Sequence, residues 1–418
     1  MMKRDFIILL SFLSLLSGCE KSLTVPVDQL IERKDFVLTR ADREIIQANN
    51  AFAFNLFRKV TAKTGEKSTM ISPLSVTIGL GMVNNGAAGE TQNEINRVLG
   101  YEPGSMEDLN AFCQSMLAQS AGVDPSTTID LANAAVVNRT LIPLKDSFSK
   151  TIQEVYDAEV IYKEFGRDDV MGLINKWCSE KTRGQIPFLL QEQPKSSEYA
   201  HFLNAVYFKG IWSSKFKKSD TKRTVFKLED RSETTVSMMW QRGKFNYGVM
   251  DNICEALCLP YGNQAYRMII LLPREDKTIG YVKNVLTSTK WSKLLEGMEG
   301  LEVDVKFPVF ETTTNMRLKD VLFEMGIRQA FHGGDFHEMT DQPEVYINDV
   351  LHKAVIKVDE TGSEAAAVTD VVYFAGAPLG GASFEPPVIE FHCDRPFLYA
   401  ITEVSSGSIY FLGQYTGK

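Results

Sequence analysis

Apolar residues recur at helical spacing in the first half of the chain and at strand spacing in most of the second. Between Ala41 and Ala62, the residues Ile45, Ile46, Phe54, Phe57 and Val60 predict a first long helix. Ser72 ahead of Pro73 supplies an N-cap and a first-turn proline for a second helix, which should stop at Asn85-Gly86. Thr91-Gln92-Asn93-Glu94 has the form of a capping box, followed by the apolar face Ile95, Val98 and Leu99 and a stop at Gly100. Val170, Leu173, Ile174 and Trp177 share one face of a further helix that ends before Gly184. Asp130 to Val137 reads as a buried strand, and His201 to Lys209 is apolar nearly throughout, as in a strand covered on both faces. Met268 to Leu272 is similar, Glu302 to Phe307 alternates, and Met316 to Met325 is helical up to Gly326. Val388 to Phe391, Phe397 to Glu403 and Ser408 to Gly413 end the chain as strands. No internal repeat occurs, and no linker after residue 40 is rich enough in Pro, Gly or Ser to separate domains. Helices first and strands later predict one large α+β unit.

One stretch does not settle into either pattern. Lys357 to Leu379 begins as an alternating strand and softens into small residues after Gly362. Counted by twos, Ser363, Ala365, Ala367, Thr369, Val371 and Tyr373 form an uncharged set, and Glu364 and Asp370 fall in the other. A strand so patterned could enter a sheet with its small side chains inward and its acids outward. The same residues also describe a loop, because Ala and Gly are depleted in strands and Ala375-Gly376-Ala377-Pro378 with Gly380-Gly381 is turn-rich.

The chain's beginning changes the picture of where it works. Lys3 and Arg4 precede an apolar run, Phe6 to Leu16, that is short for a bilayer span and fits an export signal. It ends in Leu16-Ser17-Gly18-Cys19, similar to the lipoprotein box of bacteria, in which the Cys is lipidated and becomes the new N-terminus; an ordinary cleaved signal peptide is the other reading. Acyl chains on Cys19 would anchor the protein to a membrane. Residues 19–44 would form a polar tether and residues 45–418 the folded domain. The expected setting is the bacterial cell envelope, at the outer membrane or cell surface.

Charge and motifs narrow the chemistry. A net charge of -8 and the lack of a basic block beyond the N-terminus argue against nucleic acid. Cys113, Cys178, Cys254, Cys258 and Cys393 are odd in number, so they cannot all pair. Cys254 and Cys258 lack the second ligand pair of a zinc site, and buried thiols are expected. No nucleophile elbow, zinc pair, Walker loop or dinucleotide fingerprint is present, and His337-Glu338 lacks a second His. Neither an enzyme, a metal nor a cofactor is indicated.

Several motifs occur in one order. They are Ser72-Pro73-Leu74-Ser75; Asn85 to Thr91; Ile174-Asn175-Lys176-Trp177 with Thr182 to Ile186; and Asn204 to Trp212. Met238-Met239, Leu259-Pro260-Tyr261, His352-Lys353-Ala354, Asp359 to Ala367 and Asp394 to Leu398 follow. Together, from about Ala48 onward, they resemble the serpin family. The resemblance implies helices packed on three β-sheets, a large central sheet and an exposed C-terminal reactive loop at about 361–385. It implies a monomeric suicide-substrate inhibitor of serine, sometimes cysteine, proteases; a non-inhibitory surface binding protein or simple protease substrate is the alternative within the family. A surface hydrolase or carbohydrate-binding lipoprotein is the alternative outside it.

The resemblance assigns roles residue by residue. Glu360, Gly362, Ser363, Glu364, Ala365, Ala366 and Ala367 correspond to the hinge that enters the central sheet. Ser72, Ser75, Asn204 and His352 correspond to a polar latch beneath it. Counted from the hinge glycine, family spacing puts the scissile bond at Gly376-Ala377, within the window Phe374, Ala375, Pro378 and Leu379. Counted back from Pro396 it falls near Glu385, so the loop is longer than the common pattern by an insertion in Pro378 to Phe384. No Lys or Arg lies between Lys357 and Arg395. A trypsin-like pocket, with its acid for a basic side chain, has no bait here, whereas elastase-, chymotrypsin- or subtilisin-like pockets do.

Overall fold

The computed structural model describes residues 32–101, 106–120, 122–363 and 387–418. Helix α1 (Arg40–Thr64) is followed by β1 (Thr69–Ile71), α2 (Pro73–Asn84), α3 (Gly89–Leu99) and α4 (Met106–Ser120). Next come β2 (Thr128–Asn138), α5 (Asp146–Tyr156), β3 (Ala158–Lys163), α6 (Val170–Lys181) and β4 (Ala200–Ile211). Strands β5 (Lys222–Lys227), β6 (Glu233–Met250), β7 (Cys254–Tyr261) and β8 (Tyr266–Pro273) precede α7 (Ile279–Val285) and α8 (Ser288–Glu296). Strands β9 (Glu299–Pro308) and β10 (Phe310–Arg317), helix α9 (Lys319–Met325), and strands β11 (Leu351–Val358), β12 (Gly362–Ser363), β13 (Ile389–His392), β14 (Phe397–Glu403) and β15 (Ile409–Tyr415) complete the fold.

The strands form a central sheet in the order β10-β11-β12-β4-β2-β3 and a second array, β1-β15-β14-β8-β7-β6-β9-β13, with β5 on β6. The 18-residue β6 runs through two layers of that array. Its length up to Tyr247 pairs with β5 and β9, and its last residues, Tyr247 to Met250, pair with β7. The result is a small outer sheet, β5-β6-β9-β13, and a buried sheet running from β1 to β7, which with the central sheet make three. Helix α2 touches both β4 and β15, so it fills the space between the central and buried sheets. That position explains why eleven of its residues are buried and why its sequence is apolar all round. Helix α6 covers the opposite face of the central sheet through a smaller core of Val170, Ile174 and Trp177 against Ala134, Val136, Leu203 and Ala205.

Most predicted elements stand where the periodicity put them, with three corrections. The Thr91–Glu94 pair does not cap a helix: α3 begins at Gly89 on Ala88, which makes no side-chain cap. Thr91 Oγ1 instead accepts from Asp335 N (2.8 Å), and Glu94 Oε2 accepts from Arg328 N and Gln329 N (2.7 and 2.8 Å). A distant segment with unsatisfied N–H groups outcompeted the local ones. Met316 and Arg317 are not helical; they end β10 opposite His352 and Leu351, and the helix starts only at Lys319. The folded domain begins before residue 45, because Phe36 is buried and its N–H donates to Ser405 Oγ at 2.9 Å. Thr39 and Asp42 then form the capping box of α1. The five cysteines after Cys19 are buried and unpaired, as expected. Burial raises the thiols of Cys113, Cys178 and Cys254 to about 12, so they are poor nucleophiles.

Candidate functional site

The site is a seam in the central sheet. β12 is antiparallel to both β11 and β4, so those two run parallel to each other, and within the sheet order they meet only through β12. Its two residues pair Val358 with Ser363, Ser363 with Gly210 and Gly362 with Ile211. Farther down the seam a small cleft opens between Phe202 and Asn204 of β4 and Leu351 and His352 of β11. Two parallel strands flanking an antiparallel stub leave a path along which the stub could be extended.

The turn into β12 is tightly held. Asp359 Oδ1 accepts from Thr361 N at 2.8 Å, and Asp359 N donates to Gly362 O at 2.9 Å. Glu360 O accepts from Phe216 N (3.0 Å), and its carboxylate accepts from Thr221 Oγ1 (2.7 Å). Trp212 binds the turn twice, through N to Thr361 O and Nε1 to Asp359 O, both at 2.9 Å. Gly362 has φ +153°, a conformation reserved for glycine, and a Cβ there would collide with the Gly210 carbonyl. Gly210 is equally confined, since a Cβ on it would meet the Tyr261 ring at 2.6 Å.

Ser363 is 1% exposed and its hydroxyl shares a 2.7 Å hydrogen bond with that of Tyr261. Burial holds the Tyr261 phenol well above its ordinary pKa, so it stays neutral. Trp212 stacks on Tyr261 at 4.4 Å and Phe208 meets its edge at 5.1 Å. This aromatic floor admits a small hydroxyl at position 363 and has no room for a longer side chain. The inward orientation expected of Ser363 is therefore what the structure shows. Glu364, Ala365, Ala366, Ala367, Phe374, Ala375, Gly376, Ala377, Pro378 and Leu379 lie outside the described residues.

The four predicted latch residues do come together. His352 Nε2 accepts from Ser72 N at 3.2 Å, which places its proton on Nδ1. Ser72 Oγ caps α2 through Ser75 N (3.4 Å), and Ser75 Oγ donates to Asn204 Oδ1. The network extends further than expected: Asn204 Nδ2 donates to Asn133 Oδ1 (2.6 Å), and Asn133 Nδ2 to Tyr156 O (2.7 Å). Asn133 sits directly opposite Asn204 in the β2–β4 ladder, a register that only the fold reveals. The latch thus ties β11, α2, β4, β2 and the end of α5 across the seam. Among the described residues no group of His, Cys, Asp and Glu is placed to hold a metal.

Full burial lowers the pKa of His352 from 6.5 to about 4. A folded-state value below the unfolded one means the unfolded chain takes up the proton first, so stability falls as pH drops from about 6.5 toward 4. At pH 4.5 the loss from this group should be about 2–3 kcal/mol. Urea unfolding at pH 7 and pH 4.5 should show that loss in the native protein, and His352→Gln should retain much less of the pH dependence. An equal drop in both proteins would remove His352 as the cause.

The site is thus a mixed central sheet in which a two-residue strand separates two parallel neighbours above a buried polar network. A family model described as Serpin (serine protease inhibitor) matches residues 47–417. The sequence is 34% identical over 376 residues to Iripin-1 of Ixodes ricinus, spanning 88% of this chain and 93% of that protein. It is 32% identical over 376 residues to the leukocyte elastase inhibitor of Xenopus tropicalis, spanning 87% and 97% respectively. A crystal structure of human thyroxine-binding globulin complexed with thyroxine superposes with a TM-score of 0.80 at 25% identity, over 90% of this chain and 98% of that one. The chain belongs to the serpin family.

Proposed function

We propose that this serpin is a suicide-substrate inhibitor of serine endopeptidases, and that it works by completing the strand that β12 begins. A protease serine Oγ attacks the Gly376 carbonyl, the Gly376–Ala377 amide breaks, and a new amino terminus leaves at Ala377. The loop, now free at one end and acylated to the protease, extends β12 along the seam between β11 and β4 and carries the protease with it. The observation that carries this reading is the seating of Gly362 and Ser363 between those two parallel strands. The small residues Ala365 and Ala367 continue the inward set that Ser363 starts. About a dozen added residues, each contributing on the order of 1 kcal/mol in hydrogen bonding plus apolar burial, would yield more than ~10 kcal/mol. That rivals the stability of a whole domain, so the uncut state is held kinetically.

The loop's side chains, with no Lys or Arg, favour elastase-, chymotrypsin- or subtilisin-like targets over trypsin-like ones. The name of the relative called leukocyte elastase inhibitor points the same way. A second reading, a non-inhibitory binding serpin, takes support from the likeness to thyroxine-binding globulin. Incubation with pancreatic elastase, chymotrypsin, subtilisin and trypsin separates the two. An SDS-resistant complex with one or more of the first three, and none with trypsin, is expected. Clean cleavage without a complex would sink the inhibitory reading, and the mass of the released C-terminal peptide identifies the bond.

The reading extends to location. The basic end, short apolar run and Cys19 support export and lipid anchoring in a bacterial envelope, with the inhibitor facing its target as a monomer. Among the described residues no helix is long and apolar enough to cross a membrane. The N-terminal peptide of the mature protein should begin at an acylated Cys19; an unmodified terminus at another residue would refute the anchor.

A further inference from the structure

The expectation of no basic block beyond the N-terminus is overturned by the residues from 215 to 227 themselves. Lys215, Lys217, Lys218, Lys222, Arg223 and Lys227 stand within thirteen residues that hold a single acid, Asp220, in a chain of net charge -8. Lys217, Lys218, Lys222, Arg223 and Lys227 are exposed. Among the described residues none of these five makes an ion pair; Arg223 only reaches the Thr235 carbonyl at 3.4 Å. The carboxylate of Glu360 is already engaged by Thr221, and Glu233 stands opposite Lys227 in the ladder. Arg223, Val225 and Lys227 follow the period of two on β5, and Val225 is 51% exposed between the two cations. Lysines on an edge strand commonly block edge-to-edge pairing, which accounts for those on β5 but not for Lys217 and Lys218, which precede it.

The position of this segment is specific. Its first part bonds the root from which the reactive loop departs, through Phe216 N to Glu360 O and Thr221 Oγ1 to Glu360. Its last residue bonds the root to which the loop returns, through Lys227 N to Asp394 O at 2.8 Å, just past β13. The basic segment therefore spans the two ends of the loop and lies on the side of the molecule from which a protease would approach it. We propose that Lys217, Lys218 and Arg223, with Val225, form an exosite for an acidic face of the target protease. The inference rests on the inhibitory reading above and adds to it the charge of the partner. Its effect is on encounter: complementary charge steers association and is screened by salt.

The test compares an anionic and a cationic elastase-type protease across ionic strengths from low to high salt. The native protein should trap the anionic enzyme with a rate constant that falls about tenfold or more with salt. The variant Lys217→Ser/Lys218→Ser/Arg223→Ser should be slower by about that factor at low salt, with a flattened salt profile. Lys217→Arg/Lys218→Arg, which keeps the charge, should behave as native, and undiminished trapping of the cationic enzyme by the serine variant excludes misfolding as the cause. Toward the cationic enzyme the serine variant should be no slower. Equal rates and salt profiles in native and serine variants would overturn the exosite. If neither protease is trapped at all, the inhibitory reading fails, and binding of the anionic protease with its catalytic serine replaced by Ala still decides the exosite: salt-sensitive binding lost in the serine variant supports it, and unchanged binding overturns it. Retention on a sulfated polysaccharide, with no dependence of protease encounter on these residues, would assign the patch to a polyanion instead.

Discussion

Protein clipped at the reactive loop should melt at least about 10 °C above the intact form. The expectation follows from the seam, in which β12 supplies only the first two residues of a strand between β11 and β4, and those two strands would have to part for it to lengthen. Completing that strand satisfies the facing edges of two parallel neighbours at once, and more than ~10 kcal/mol of added stability corresponds to a shift of this size or larger in a domain of several hundred residues. Limited digestion with subtilisin or elastase, followed by calorimetry of the nicked but undissociated protein, measures it directly. A clipped form melting no higher than the intact one would mean that the loop gains nothing from the sheet, and the trapping mechanism would have no driving force.

Ser363→Arg should convert the inhibitor into a substrate. Ser363 is the first inward residue of the path, sealed beneath the sheet with its hydroxyl on Tyr261 over the Trp212–Tyr261–Phe208 floor. An arginine there must either bury an unpaired charge against that floor or push the strand out of register, at a cost of a few kcal/mol. Insertion competes with hydrolysis of the acyl intermediate, so a barrier higher by about 3 kcal/mol would shift the partition roughly a hundredfold toward release of active protease. The molar excess needed for full inhibition, read by titration, should rise accordingly while the rate of loop cleavage stays within a few fold of native. Undiminished covalent trapping by this variant would show that position 363 does not have to enter the sheet.

How much of this could be read beforehand varied with how local the cause was. The helices α1, α2 and α6 and the strands β2 and β4 followed from periodicity and caps, because burial of one face is written into residue order. The inward side of Ser363 was legible for the same reason, and the rest of its period-two set lies outside the described residues. Thr91 and Glu94 misled because their side chains found donors in Asp335, Arg328 and Gln329, far along the chain. Met316 and Arg317 misled because the ladder to β11 outweighs the local preference of a helical-looking run. Motif resemblance located Ser72, Ser75, Asn204 and His352, yet it passed over Asn133, whose role depends on facing Asn204 across β2 and β4.

The residue order by itself determined the α+β class, the uncharged period-two set after Gly362, the lack of Lys and Arg between Lys357 and Arg395 and the family motifs, since each depends on neighbours within a few residues. Only the tertiary structure decided that β11 and β4 run parallel with β12 between them, that His352 is desolvated enough to be held neutral, and that the lysine-bearing segment before and along β5 bonds both roots of one loop, through Phe216, Thr221 and the Lys227 backbone. These depend on strand register and on burial, which are set by contacts between residues a hundred or more positions apart and leave no periodic trace in the chain.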